Sequence, residues 1–108
     1  MRLKRYCFGA AFIALCATSA HAQRLPEARG EDLLSRNCAM CHAVGRIGAS
    51  PVAKAPPFRT LGQLMALDSL QEPLGSGLLH GHPEMPKFVF PQQDVDAILR
   101  YLRSIQER

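Results

Sequence analysis

The chain has 108 residues, room for one small domain, and carries 13 Lys and Arg against 9 Asp and Glu for a formal net charge of +4. Arg2, Lys4 and Arg5 stand at the extreme N-terminus, so the rest holds ten basic against nine acidic side chains and offers no basic surface for nucleic acid. Four cysteines, no Trp and few aromatics exclude a dense disulfide framework and a thick core built from side chains alone.

Met1 to Arg5 is a basic head, Phe8 to Ala20 is mostly apolar, and Ala20-His21-Ala22 has the small-x-small form of a signal-peptidase site. This pattern predicts an export signal over residues 1–22 and one domain over residues 23–108. The apolar run is shorter than the about 20 residues of a membrane span. Polar Gln23 and Arg24 follow it, so no span is expected to remain after cleavage. A lipid anchor on Cys16 is disfavoured by Leu15 before it, where a small residue is usual. Cleavage would remove Cys7 and Cys16 and leave only Cys38 and Cys41. The remaining 86 residues have four aromatics, Phe58, Phe88, Phe90 and Tyr101. A chain that small usually needs a metal, a disulfide or a cofactor to complete its interior.

Glu31 to His42 places Leu33, Leu34, Cys38 and Cys41 at helical spacings, with acidic residues at its start, and predicts a helix ending near the second cysteine. Ala43 to Pro57 is rich in Gly, Ala and Pro and reads as a long loop. Met65 stands among Leu61, Leu64 and Leu67, where a flexible apolar side chain reads as core filler. A short helix is expected after Asp68 as N-cap, through Leu70 and Leu74 to about Gly77. Pro73 then makes it bent, or sets its start later. Gly81 to Pro86 is loop by composition. From Pro91 onward Val95, Ile98, Leu99, Leu102 and Ile105 recur at three- and four-residue steps, the pattern of an amphipathic helix. No run alternates as a strand, so the expected fold is all-α with about three to four helices and long loops.

Cys38-Ala39-Met40-Cys41-His42 is a C-x-x-C-H sequence, the attachment signature of c-type haem. Two thiols one helical turn apart suit addition to the two vinyl groups of one porphyrin, and the adjacent imidazole of His42 suits the iron. A redox dithiol would favour a βαβ setting, which is absent. A structural zinc site would need four Cys or His ligands, and His42 directly beside Cys41 is poorly placed to share one tetrahedron with both thiolates. For the sixth iron position, Met40 lies inside the attachment loop, whereas Met85 stands in a Pro-flanked loop before the last helix. Met85 is the expected second axial ligand. His80 and His82 compete with it, or serve as ordinary loop histidines. With both axial positions filled, iron changes oxidation state with little rearrangement, which suits transfer of one electron and not catalysis.

These residues resemble class I monohaem cytochromes c, especially the short bacterial periplasmic ones, over nearly the whole chain after residue 22. Gly30 and Leu34 stand where that family has a Gly eight residues and a large apolar residue four residues before the first cysteine. Ile98 and Tyr101 resemble the partner face on the C-terminal helix, and Met85-Pro86 resembles the axial Met loop. The resemblance implies that a backbone carbonyl at Pro56, with Pro57 as the alternative, accepts a hydrogen bond from the proximal imidazole, and that Phe58 lies against the haem. It also implies a small cytochrome c fold around one covalent haem c and a monomeric periplasmic electron carrier. The implied partners are a dehydrogenase or cytochrome bc-type donor and an oxidase or reductase acceptor. A haem-bearing subunit or dedicated partner of a periplasmic oxidoreductase is the alternative. A gas-binding or peroxide-reducing haem protein is less supported, because only His80 and His82 offer distal polar groups.

Overall fold

The apolar steps near the C-terminus become the buried stripe of a helix in the computed structural model, which describes residues 17–77 and 84–108, with side chains from Leu25 onward. Four α-helices, and no strand among the described residues, give the all-α fold that the patterning predicts. They are α1 (Ala17–Cys38), α2 (Leu61–Leu64), α3 (Gln71–Ser76) and α4 (Gln92–Ile105). Short 3₁₀ turns at Phe58–Thr60 and Leu67–Leu70 lead directly into α2 and α3.

Helix α4 is the centre of the core. Val95 and Ile98 are fully buried, and Leu99, Leu102 and Ile105 continue the same stripe. Pro91 caps the helix from an extended conformation, its carbonyl accepting the amides of Asp94 and Val95. Proline suits this place because the amides of a first helical turn have no intrahelical partner to lose. Around α4 the core gathers Leu34 and Cys38 of α1, Val44 from the long loop, Phe58 from the first 3₁₀ turn, Leu61 of α2 and Leu74 of α3.

Helix α1 packs along α4 and is already helical at Ala17, the first described residue, well ahead of the expected Glu31. It runs through Ala20–Ala22 and accommodates Pro26 at the loss of one backbone donor. At Gly30 the two helices meet backbone to backbone. A Cβ there would stand 2.1 Å from the Ala97 carbonyl oxygen and 2.9 Å from the Tyr101 Cβ. Only glycine permits that approach. Beside it, Arg29 donates through Nε at 2.7 Å to the buried carboxylate of Asp94 in the first turn of α4, where a negative charge is also favoured by the helix dipole.

Two local expectations resolve differently, and a third is decided between its alternatives. Pro73 is the third residue of α3, within the first turn, so the helix begins later than Asp68 and loses no hydrogen bond to the proline. Asp68 caps nothing: its carboxylate pairs with Arg103 of α4. Met65 is not core filler, being 41% exposed beside Leu64 at 63%, because α2 ends after Leu64 and Met65 is extended. Gly77 closes α3 in the left-handed region at φ 75°, its amide bonded to the Pro73 carbonyl at 2.9 Å.

Gly30→Ala is expected to cost about 1–3 kcal/mol, because the added methyl forces the α1 and α4 backbones apart. Gly75, inside α3, has open space where its Cβ would stand, so Gly75→Ala should leave stability unchanged or raise it by up to about 1 kcal/mol. Guanidinium unfolding of the two variants checks the contrast; equal midpoints would show that the crossing is not tight.

Candidate cofactor site

The C-x-x-C-H residues stand where α1 runs out. Cys38 is its last residue and is buried, and its carbonyl accepts the amides of both Cys41 and His42, at 3.2 and 2.9 Å. The chain thus makes one tight turn that carries the second thiol and the imidazole. The loop beyond is fixed through its backbone. Val52 donates its amide to the Cys41 carbonyl at 3.2 Å, Ala43 donates to Ser50 Oγ at 3.0 Å, and Phe58 donates to the Ala43 carbonyl at 3.0 Å. From the core side, the Tyr101 hydroxyl donates to the Val44 carbonyl at 3.0 Å. Burial, reinforced by Glu31 and opposed by Arg46, raises the Tyr101 phenol above its ordinary range, so it remains a donor at neutral pH.

His42 is held on two sides. Its Nδ1 lies 2.8 Å from the Pro56 carbonyl, so that nitrogen carries the proton and Nε2 keeps the lone pair. The ring of Phe58 stacks on the imidazole with centroids 4.6 Å apart and planes inclined by 28°. Pro56, not Pro57, supplies the accepting carbonyl. Phe58 is itself buried, so the imidazole rests on a fixed wall.

Cys38, Cys41, His42 and Met85 line one cavity of about 590 Å³. That volume lies within the ~300–1,000 Å³ of cofactor and ligand sites. Two thiols, a ring nitrogen and a thioether around one cavity are the donors that a covalently held porphyrin and its iron require, so the residues fit haem c. Met85 reaches the cavity from a segment anchored at its far end, where Phe90 donates its amide to the Leu74 carbonyl at 2.9 Å and stacks on Phe88 with centroids 6.0 Å apart. Met40 is 88% exposed at the rim. His80 and His82 lie outside the described residues. The cysteines are free, and burial, with the neighbouring Cys41, pushes the Cys38 thiol up to about 11. Among the described residues no three His, Cys, Asp or Glu side chains converge as a bare metal site would need.

A family model described as cytochrome c oxidase, cbb3-type, subunit III matches residues 26–102. The chain belongs to this family of c-type cytochromes. It is 31% identical over 94 residues to cytochrome c-552 of Bradyrhizobium diazoefficiens, a match covering 87% of this chain and 88% of that protein. No solved structure matches the chain. As a small c-type cytochrome it carries covalent haem c and works in haem-based electron transfer. No described helix is long and apolar enough to cross a membrane.

Sequence reasoning missed the charged rim of the cavity, to which Arg36, Lys54 and Glu84 contribute. It also missed Ser50 and the C-terminal Gln106, whose side chain reaches the loop that follows Pro56. Neither has a local signature, since each acts on a distant stretch of backbone. Phe58→Ala is expected to destabilise the cytochrome by about 3–5 kcal/mol, the usual cost of emptying a buried aromatic site. Denaturant unfolding of the haem-loaded protein measures this, and a loss below about 1 kcal/mol would mean that the ring is not part of the core.

Proposed function

We propose that this cytochrome is a one-electron carrier with a single haem, attached through Cys38 and Cys41 and ligated by His42 and Met85, working in the periplasm after loss of residues 1–22. The carrying observation is that a fixed imidazole and a thioether line the same cavity as the two thiols. The haem supplies the electron-accepting iron. His42 offers Nε2 while Pro56 holds its other nitrogen, and such outer contacts fix the ring and raise its basicity. Met85 supplies a soft, weakly donating sulfur, which favours the reduced state relative to a second imidazole. Phe58 keeps the imidazole from swinging, so oxidation and reduction proceed with little movement of the protein.

Partner contact is brief and local, at the cavity rim, where exposed Met40 and Val52 stand near Arg36 and Lys54. Electron-transfer encounters are characteristically small, below about 1,200 Å². The chain after residue 22 is close to neutral, so the charges at this rim matter more than the overall balance. A dehydrogenase or bc-type complex as donor and an oxidase or reductase as acceptor fit this reading.

Absorption spectra of both oxidation states and a pyridine haemochrome are expected to report one low-spin haem with two thioether links. Met85→Ala should abolish the red-edge charge-transfer band of sulfur-ligated ferric iron and raise the potential's sensitivity to added imidazole; an unchanged spectrum would falsify ligation by Met85. The family description favours a second reading, a haem-bearing subunit of a periplasmic oxidoreductase. Size-exclusion after mild extraction separates the two. A free carrier elutes at the size of the single chain, and co-elution of all its haem with a larger enzyme would overturn the free-carrier reading.

A further inference from the structure

Pro56 and Pro57 carry no amide protons, so the stretch that orients His42 cannot be fixed by hydrogen bonds from its own first two residues. Its anchoring must come from elsewhere. The Phe58 amide bonds back to Ala43, the Pro57 and Phe58 carbonyls close local turns with Thr60 and Leu61, and the one further tie, at the Phe58 carbonyl, comes from the segment that follows α4.

There the Gln106 side chain makes three hydrogen bonds. Its Nε2 donates to the Phe58 carbonyl at 2.8 Å and to the Leu102 carbonyl at 2.7 Å. Its Oε1 accepts the Gly62 amide at 2.7 Å. A single amide group thereby spans the turn from Phe58 to Gly62 and joins it to the last turn of α4. Gly62 leaves space for it: a Cβ there would stand 3.0 Å from Gln106 Oε1. Glu107 adds a parallel tie. Its amide donates to the Arg59 carbonyl at 2.8 Å, and its carboxylate accepts Arg59 Nε at 2.9 Å. Arg59 in turn donates through Nη1 to the Gly48 carbonyl at 2.7 Å, which closes the clasp onto the loop after the haem motif.

We infer that Gln106 is a positioning residue for His42: by binding the Phe58 carbonyl and the Gly62 amide together, its side chain holds the Pro56 carbonyl where it accepts the Nδ1 proton. The inference rests on His42 being an iron ligand. Gln106 touches neither the imidazole nor the cavity, and acts through the Pro56-Pro57-Phe58 segment alone. A firm hydrogen bond at Nδ1 makes the imidazole a stronger donor and favours ferric iron. Loosening the clasp therefore raises the reduction potential.

The test uses the haem-loaded protein and the variants Gln106→Met, which keeps the length of the side chain but removes its hydrogen bonds, and Gln106→Glu, which keeps the acceptor for Gly62 but loses the donor to Phe58. Val95→Ala is the control, since it empties part of the core without touching the clasp. Expected for Gln106→Met are a higher midpoint potential, displaced paramagnetic NMR shifts of the His42 ring protons, and roughly fivefold faster solvent exchange at Nδ1, as for loss of one hydrogen bond. Gln106→Glu should shift the same readouts in the same direction. Val95→Ala should lower stability and leave all three readouts as they are. Potential, ring shifts and exchange unchanged in Gln106→Met, beside lowered stability, would overturn the inference and leave Gln106 a tether of the C-terminus. His42→Ala distinguishes the underlying reading: if it keeps the native low-spin spectrum, His42 is not a ligand and both readings fall.

Discussion

The close passage of α1 over α4 at Gly30 is the constraint on which the rest depends. A side chain at Gly30 would set the helices further apart, and the consequences would reach the haem motif. Cys38 ends α1, so its position follows from that helix. Tyr101 lies on the α4 face opposite Gly30, and its hydroxyl fixes Val44 two residues beyond His42. Gln106 follows the end of α4 and fixes the turn beyond Pro56. Three separate parts of the site are thus located by one helix pair. The pair between exposed Arg29 and the buried Asp94 carboxylate adds register along the same contact.

The site itself is made of loop, and it is ordered because its carbonyls are taken up one by one. Cys38, Cys41, Ala43, Val44, Pro56 and Phe58 each have a carbonyl with a named donor. Unpaired backbone groups in so small an interior would cost more than its apolar area returns. The long loop therefore behaves as scaffold although it has no helix or strand until Phe58.

What could be read from the sequence divides by the range of the interaction. The C-x-x-C-H pattern at Cys38, Cys41 and His42 is legible because attachment chemistry demands fixed local spacing, and α4 because burial of one face imposes a 3.6-residue period. Gly30 came from the resemblance, through the place it takes before the first cysteine. The assignment of the accepting carbonyl to Pro56 came from resemblance, since the residue type carries no signal for a carbonyl. The N-terminal turns of α1 carry no apolar period to mark them, and they hold Pro26, which neighbouring turns sustain. Asp68 looked like a cap because a cap and an ion-pair partner share one side chain; only the approach of Arg103 decides between them. Met65 misled for a similar reason, its apolar neighbours being periodic while the helix they belong to is a single turn.

The paired prolines before Phe58 have a consequence in the unfolded chain as well. Pro57 sits at φ −59° and ψ 137°, close to the polyproline II conformation that such pairs adopt in solution. Proline fixes φ in the disordered ensemble too, so these two residues have little backbone freedom left to lose when the protein folds, against about 1–2 kcal/mol for an ordinary residue. The carbonyl that orients the imidazole is therefore borne on a segment already extended before any tertiary contact forms. The stiffness of the imidazole's support is written into the covalent rings of the chain, and folding has only to deliver it to the right place.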